Sequence, residues 1–507
     1  MVETLRTRFP DPLNADAFLD FTSPTSNQPL NALLLNLIHT VPKQRMKSIS
    51  QLGLSHFGYG GEYSRFTHPL QATLLGVTQM EALRKRIEAK RIADPDFPDI
   101  YDHRMADAVA ISLLLHDIGH APYSHTFENV MQKLGVPFHH EDWTVRLIGN
   151  DGEIRSLLDK FVQDNPQYGK PFKKEYGCTY VDMIVRLIKG ANSVIERNID
   201  GKTVYSTIYS AAVNGPMDCD RKAFLPTDRK RTGVQSLSFS PEKLIEYLTV
   251  DIVTPEDPQI PVVIPVYEYA AELELTNAVM AWLQQYNIAY FTTANSAAES
   301  MIIKILEAGM AYVQEKRPEP LSPALSQEGD VYKNFPLFNF WRAPTVKNFL
   351  ATNDTSISQV IKEVAENGND PKLKKIAEGL IRKQLWASFE LNKLNLTEDQ
   401  REKLRPDLQR IAVAKNKTLE LDRDFAVDIK KTRSIHEVPV VSLKTLSSIL
   451  FIHDMHTHPR PLQSISQEIR DTPALSQVRI NAPEKIVRWI AEGLSRRNQG
   501  EHSLLHP

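Results

Sequence analysis

Cysteine is almost absent: the 507-residue chain carries two, Cys178 and Cys219. That excludes a disulfide framework, and a reducing cytosol is the simplest setting, so a cytoplasmic location is expected. Net charge is nearly absent as well. The balance of −2 gives no global pull towards nucleic acid or an anionic membrane. No apolar run reaches about 18 residues, so no membrane span is expected. Met1–Leu13 holds no apolar core of a signal peptide. Internal repeats and low-complexity blocks are missing too. What remains is a globular composition, 42% hydrophobic and 24% charged. It supplies a large core and, at this length, roughly two to four domains.

Helical periodicity dominates what is there. Residues 1–29 are polar, broken by Pro10, Pro12 and Pro24, and read as an irregular leader. Helices are predicted over Leu30–Leu37, Leu70–Arg91, Asp102–His116, Trp143–Ile148, Glu153–Val162 and Tyr180–Lys189. Tyr267–Tyr290 and Ala297–Val313 read as long amphipathic helices. Gln259–Pro265 is proline-interrupted and reads as a loop. Pro318–Pro323 is the best linker, which divides the chain into a core over 30–315 and a helical lobe over 316–507. Short strands are expected at Gly201–Ser206, Val438–Val441 and Leu446–Ile452, and a last helix over Ala482–Arg497. The fold class is mostly α with a few short strands.

One stretch stands out, Ile111–Glu128. An apolar run ends in His116-Asp117, and His120, His125 and Glu128 follow closely. Buried unpaired charge is costly, whereas charge on a metal ion is compensated. His68 opens an earlier helix, and Asp218-Cys219-Asp220 lies about a hundred residues further on. Two imidazoles and two carboxylates suit a divalent Mn, Mg, Fe or Zn ion, with open positions for water and a phosphate oxygen. A His-Asp dipeptide alone carries little; the ordered combination carries much.

That combination resembles a family, the HD-domain deoxynucleoside triphosphate triphosphohydrolases of the dGTPase-like group. It is most similar to the animal members that carry a sterile-alpha-motif domain, without that domain. The motif is met by Gln51-Leu52-Gly53, Arg65-Phe66-Thr67-His68, His116 to Glu128, His140-Glu141 and Asp218 to Arg221. Weaker matches at Ala289–Gly309 and Asn369–Trp386 extend it over about residues 30–395.

The resemblance implies an HD-domain helical phosphohydrolase core and a dNTP, in one form dGTP, cleaved to deoxynucleoside and tripolyphosphate. It implies His68, His116, Asp117 and Asp220 as metal ligands. His120, Glu128 and His140 match an acid–base network, and His125 matches the histidine facing the scissile bond. Arg65 and Arg221 match phosphate contacts, Gln51 and Leu52 the sugar-side wall, Phe224 and Tyr290 aromatic packing, and Asp228 an acid for the 3′-hydroxyl. It implies a homo-oligomer, tetramer or hexamer, and admits an activating nucleotide and single-stranded nucleic acid as further partners. The chain departs from the pattern at Phe224, Thr227 and Thr292-Thr293, and His39 stands where animal members hold an effector-binding acid.

Plainer readings stand beside these. Asp218 competes with Asp220 as ligand, and His139 with His140 for register. Lys43, Arg45 and Lys47 read as a solvated face, or as an effector or nucleic-acid site. A second His-Asp, His453-Asp454, reads as surface or a strand end. The alternative functions are an HD hydrolase of another phosphoester, a nucleoside monophosphate or an alarmone, or a regulatory HD protein that binds single-stranded nucleic acid.

Overall fold

The computed structural model describes residues 8–11, 13, 18–21, 24–55, 62–133, 135–149, 152–190, 194–199, 201–255, 259–316, 319–325, 335–390, 426–431, 451–454, 458–466, 469 and 476–483. Helix dominates them. Gln28–Ile38 begins at Asn27, whose side chain accepts from Leu30 N. The central pair is α1, His68–Ala93, and α2, His103–Leu115. Asp102 caps α2 by accepting from Arg104 N, and ten of its thirteen residues are buried, so it runs through the core. Gly76 of α1 allows close approach, because a Cβ there would lie 2.3 Å from Leu113 Cδ1 of α2.

Three further helices border the same region. They are α3, His125–Lys133; α4, His140–Gly149; and α5, Cys219–Thr232. Asp218 is the cap of α5, accepting from Arg221 N. A later group, α6 (Thr293–Val313), α7 (Asp354–Asn367) and α8 (Pro371–Ile381), packs onto them. One apolar cluster runs through all of these, from Phe9 to Ile469. No helix among the described residues is long and apolar enough to cross a membrane.

The strands are short. One sheet runs Pro459–Pro461, Phe451–His453, Val262–Tyr267, Lys202–Ser206, Ile195–Ile199, with Leu248–Val253 also paired to Val262–Tyr267. A second, of three antiparallel strands, joins Ala387–Glu390, Ser476–Ala482 and Ala426–Lys431. Buried Asn481 ties it to α6 by donating to Ser296 Oγ at 2.8 Å and Ser300 Oγ at 2.9 Å.

Several sequence expectations need correction. Gln259–Pro265 is not a loop throughout, since Val262–Tyr267 is a strand at the centre of the first sheet. On one side it pairs with Leu248–Val253 along its whole length; on the other it meets Lys202–Ser206 at Val262 and Val263 and Phe451–His453 at Tyr267. Pro265 falls between those last rungs, where a missing N–H costs least. Tyr267–Tyr290 is not one helix: the strand ends at Tyr267, the helix proper is Glu272–Gln285, and Tyr286–Tyr290 widens into a π turn. His453 closes a strand, as expected, and its Nε2 lies 2.9 Å from Asp251 Oδ2. Val438–Val441 and residues 446–450 of the expected strand Leu446–Ile452 lie outside the described residues, as does the expected helix Ala482–Arg497 beyond Pro483, and Ala482 itself ends a strand.

The basic segment is the clearest surprise. Neither Lys43 nor Arg45 is solvated. Lys43 is fully buried and donates to Phe66 O at 3.1 Å. Burial pushes its amine down to about 7, against the pull of Asp117. Arg45, also buried, donates to Thr352 O at 2.7 Å and His120 O at 2.8 Å and lies over the Phe349 ring. Both therefore serve the interior.

Candidate active site

The end of α2 and the start of α5 face each other across His68. His68 is 1% exposed, with Nε2 2.6 Å from Asp220 Oδ1 and 3.9 Å from Asp117 Oδ2. His116 Nε2 lies 3.2 Å from Asp117 Oδ1 and 3.5 Å from Asp220 Oδ1. His68, His116 and Asp220 each present an atom within 4.8 Å of the others. Asp218 turns away to cap α5 and pair with Arg221 at 2.5 Å.

The donor set fits a divalent cation. His116 Nδ1 is 2.8 Å from Leu113 O, so its N–H is committed to that carbonyl. In the neutral ring the lone pair is then left on Nε2, which is buried, faces two carboxylates and has no partner in hydrogen-bonding geometry. Burial alone would lower the His116 ring, but Asp117 and Asp220 outweigh it and raise it to about 9. Burial would raise Asp117, yet His116, Arg65 and His120 hold it well below the usual carboxylate range.

Beside this cluster runs a chain of acid–base groups. His125 Nδ1 meets Glu128 Oε2 at 2.7 Å, and the other oxygen, Oε1, accepts from His140 N at 2.7 Å and meets His140 Nδ1 at 2.8 Å. Burial would raise Glu128, but these two histidines hold it well below its ordinary value. Burial would lower His140, yet Glu128 raises it. His120 is lowered well below the ordinary value by burial, with Arg65 and His140 adding to the effect. The His120 and His140 rings stack at 3.9 Å and 14°. His120, His125 and His140 also bring nitrogens within 4.8 Å of each other. A metal lies in the plane of each imidazole it binds, and one ion cannot lie in two stacked planes. The group suits proton movement better than a second ion.

One cavity of about 1190 Å³ gathers these groups. Its walls include Gln51, Leu52, Arg65, His116, Asp117, His120, His125, Glu128, His140, Asp220, Arg221, Phe224, Asp228 and Tyr290. Of the site residues that the resemblance implies, His68 alone is absent from the wall; its Nε2 meets Asp220, which lines it. Arg65 is held from several sides. It donates to Ser124 Oγ at 2.7 Å, Asp117 Oδ2 at 2.6 Å and Gln51 O at 3.4 Å. Arg221 donates to Gly215 O at 2.7 Å and lies over Trp282.

Some residues of the site went unnoticed in the sequence. The hydroxyls of Tyr63 and Tyr290 both donate to Asp228, one to each oxygen. Burial raises Asp228 to about 6 against those two bonds. Tyr63 lies two residues before Arg65 and carried no signal of its own. Trp282 and Tyr286 line the same wall from a helix and a π turn that the sequence read as one continuous helix.

No protein-family model matches the chain. It is 27% identical over 365 residues to the uncharacterized protein YwfO of Bacillus subtilis, covering 71% of this chain and 69% of that one. It is 28% identical over 222 residues to a Dictyostelium discoideum homolog of the deoxynucleoside triphosphate triphosphohydrolase SAMHD1. That match takes in 43% of this chain and 37% of the Dictyostelium protein, so it spans little more than a third of that relative. In fold it resembles a phosphohydrolase from Bacteroides thetaiotaomicron with a TM-score of 0.61 at 17% identity, covering 94% of this chain and 99% of that one. The likeness in fold shows a helical architecture shared with that structure, and the buried His/Asp cluster supplies donors suited to a divalent cation.

Proposed function

We propose that the protein is a metal-dependent dNTP triphosphohydrolase that releases deoxynucleoside and tripolyphosphate. One observation carries the reading. A single cavity joins the His/Asp cluster, two arginines, a histidine–glutamate chain and an aromatic wall, with volume for a nucleoside triphosphate.

His68, His116, Asp117 and Asp220 would hold the cation. A divalent ion bound there supplies charge to neutralise phosphate oxygens and lowers the pKa of water. Arg65 and Arg221 add fixed positive charge for the remaining phosphate oxygens. Water adds to the α-phosphorus, and the bond to the 5′-oxygen breaks. His125, exposed at the cavity, gives that oxygen its proton. Glu128 orients the ring through Nδ1, while His140 fixes Glu128. Gln51, Leu52 and Phe224 pack about the sugar, and Asp228 with its two tyrosines offers a hydrogen-bonding wall to the sugar or base.

Product analysis tests the reading. The protein is incubated with each dNTP and Mg or Mn, with and without GTP or a mixed dNTP pool. Deoxynucleoside with intact tripolyphosphate is expected. Diphosphate, phosphate or no product under every mixture overturns it and favours another phosphoester or a binding role.

A further inference from the structure

Tyr123 and Ser124, the two residues before His125, have φ of 53° and 57°. Neither is glycine, and two consecutive left-handed residues of this kind are rare. Such backbone persists only where its surroundings over-determine it, and it concentrates at functional sites. Ser124 Oγ accepts from Arg65 Nε at 2.7 Å and donates to Ser50 O at 2.8 Å. The turn thus sets both the arginine that pairs with Asp117 and the start of the helix that carries His125 and Glu128.

The group that fixes this turn comes from far along the chain. Asp354 opens α7, 231 residues beyond Tyr123. Its Oδ1 accepts from Tyr123 N at 2.7 Å, and its Oδ2 accepts from Ser50 N at 2.8 Å. Asp354 is not used up in capping its own helix. Asn353 does that, accepting from Ser356 N. Ser358, one turn on, meets the Tyr123 hydroxyl at 2.9 Å. Arg45 braces the same junction, joining Thr352 O to His120 O.

We propose that Asp354 is a positioning residue of the active site, its carboxylate holding the Tyr123–Ser124 turn and the Ser50 backbone together and so setting Arg65 and His125. The inference rests on the reaction proposed above. It also gives the segment after residue 345 a role in that site, because a single carboxylate from that segment accepts from both amides.

The test is Asp354→Asn in the full-length, metal-loaded protein. The amide keeps the size but leaves one acceptor where two N–H donors must be met. A fall in kcat of ~30-fold or more is expected, with KM for the same dNTP within about threefold. Bound metal per chain and Tm stay near those of the unmodified protein. The crystal structure of the variant should show Tyr123 or Ser124 out of the left-handed region and Ser124 Oγ away from Arg65. Turnover within about threefold of the unmodified protein overturns the proposal. So does a joint fall of turnover, metal content and Tm, which marks a merely structural role. Should the variant not fold, amide exchange in the unmodified protein decides: Ser50 and Tyr123 should exchange ~100-fold slower than open-loop amides, and fast exchange overturns the proposal. If the unmodified protein cleaves no phosphoester, the reaction reading fails separately, and the variant structure and exchange rates still judge the positioning.

Discussion

His116 Nδ1 lies 2.8 Å from the carbonyl oxygen of Leu113, three residues back in the last turn of α2. That contact fixes the tautomer and turns Nε2 towards Asp117 and Asp220. Replacing His116 and Asp117 together with alanine removes two of the four proposed donors. Metal bound per chain, read by elemental analysis, should fall to near zero, and hydrolysis with it. Normal metal content with surviving hydrolysis would show the site lies elsewhere.

Glu128 holds His125 through one oxygen and His140 through the other. Glu128→Gln keeps the shape but leaves one oxygen where two now orient His125 and His140. We expect kcat to fall by ~10²–10³, the usual worth of general acid–base assistance, with bound metal unchanged. Single-turnover kinetics measure it. A loss confined to KM would assign Glu128 to substrate binding.

Lys43 makes a prediction about stability and its pH dependence. Its folded pKa of about 7 lies below the model-peptide value of 10.5, because burial disfavours the charge. The sign follows from proton binding. Stability present above pH 10.5 is lost as pH falls and the unfolded chain takes up the proton first, and the loss is complete once pH passes below about 7. Lys43→Met removes a penalty on the order of 4 kcal/mol at neutral pH, less about 1 kcal/mol for the bond to Phe66 O. Tm at pH 7 should therefore rise by several degrees, with the gain shrinking towards pH 10. A drop in Tm at both pH values would mean the amine is worth more than its burial costs.

The fold class and the ligand-bearing pieces were legible because they are local. Helical period marked α1 and α2, and His68, His116-Asp117 and Asp220 stand at helix starts and ends. Lys43 and Arg45 were misread because charge usually marks solvent, and only tertiary packing reveals their partners Phe66 O, Thr352 O and His120 O. Val262–Tyr267 was hidden by Pro261 and Pro265, which read as loop until the staggered neighbours of the strand are known. Tyr63 and Asp354 could not be read at all, since their partners lie 165 and 231 residues away and no motif announces either.

Gly119 sits between Ile118 and His120, and its need for glycine is steric rather than conformational. A Cβ there would lie 2.1 Å from His140 O and 2.3 Å from Thr144 N, both backbone atoms of α4. Backbone cannot swing aside as a long side chain can, so the two segments must separate. Gly119 N also donates to Thr144 Oγ1 at 3.0 Å, and Thr144 Oγ1 donates to His116 O at 2.9 Å. The same contact thus holds the His120–His140 stack and the end of α2. Gly119→Ala should cost about 3 kcal/mol or more, beyond ordinary overpacking, and should weaken metal binding through displaced His116. Thermal denaturation with metal titration measures both. A Tm within a degree of the unmodified protein would mean that α4 can move away from the His-Asp turn at little cost.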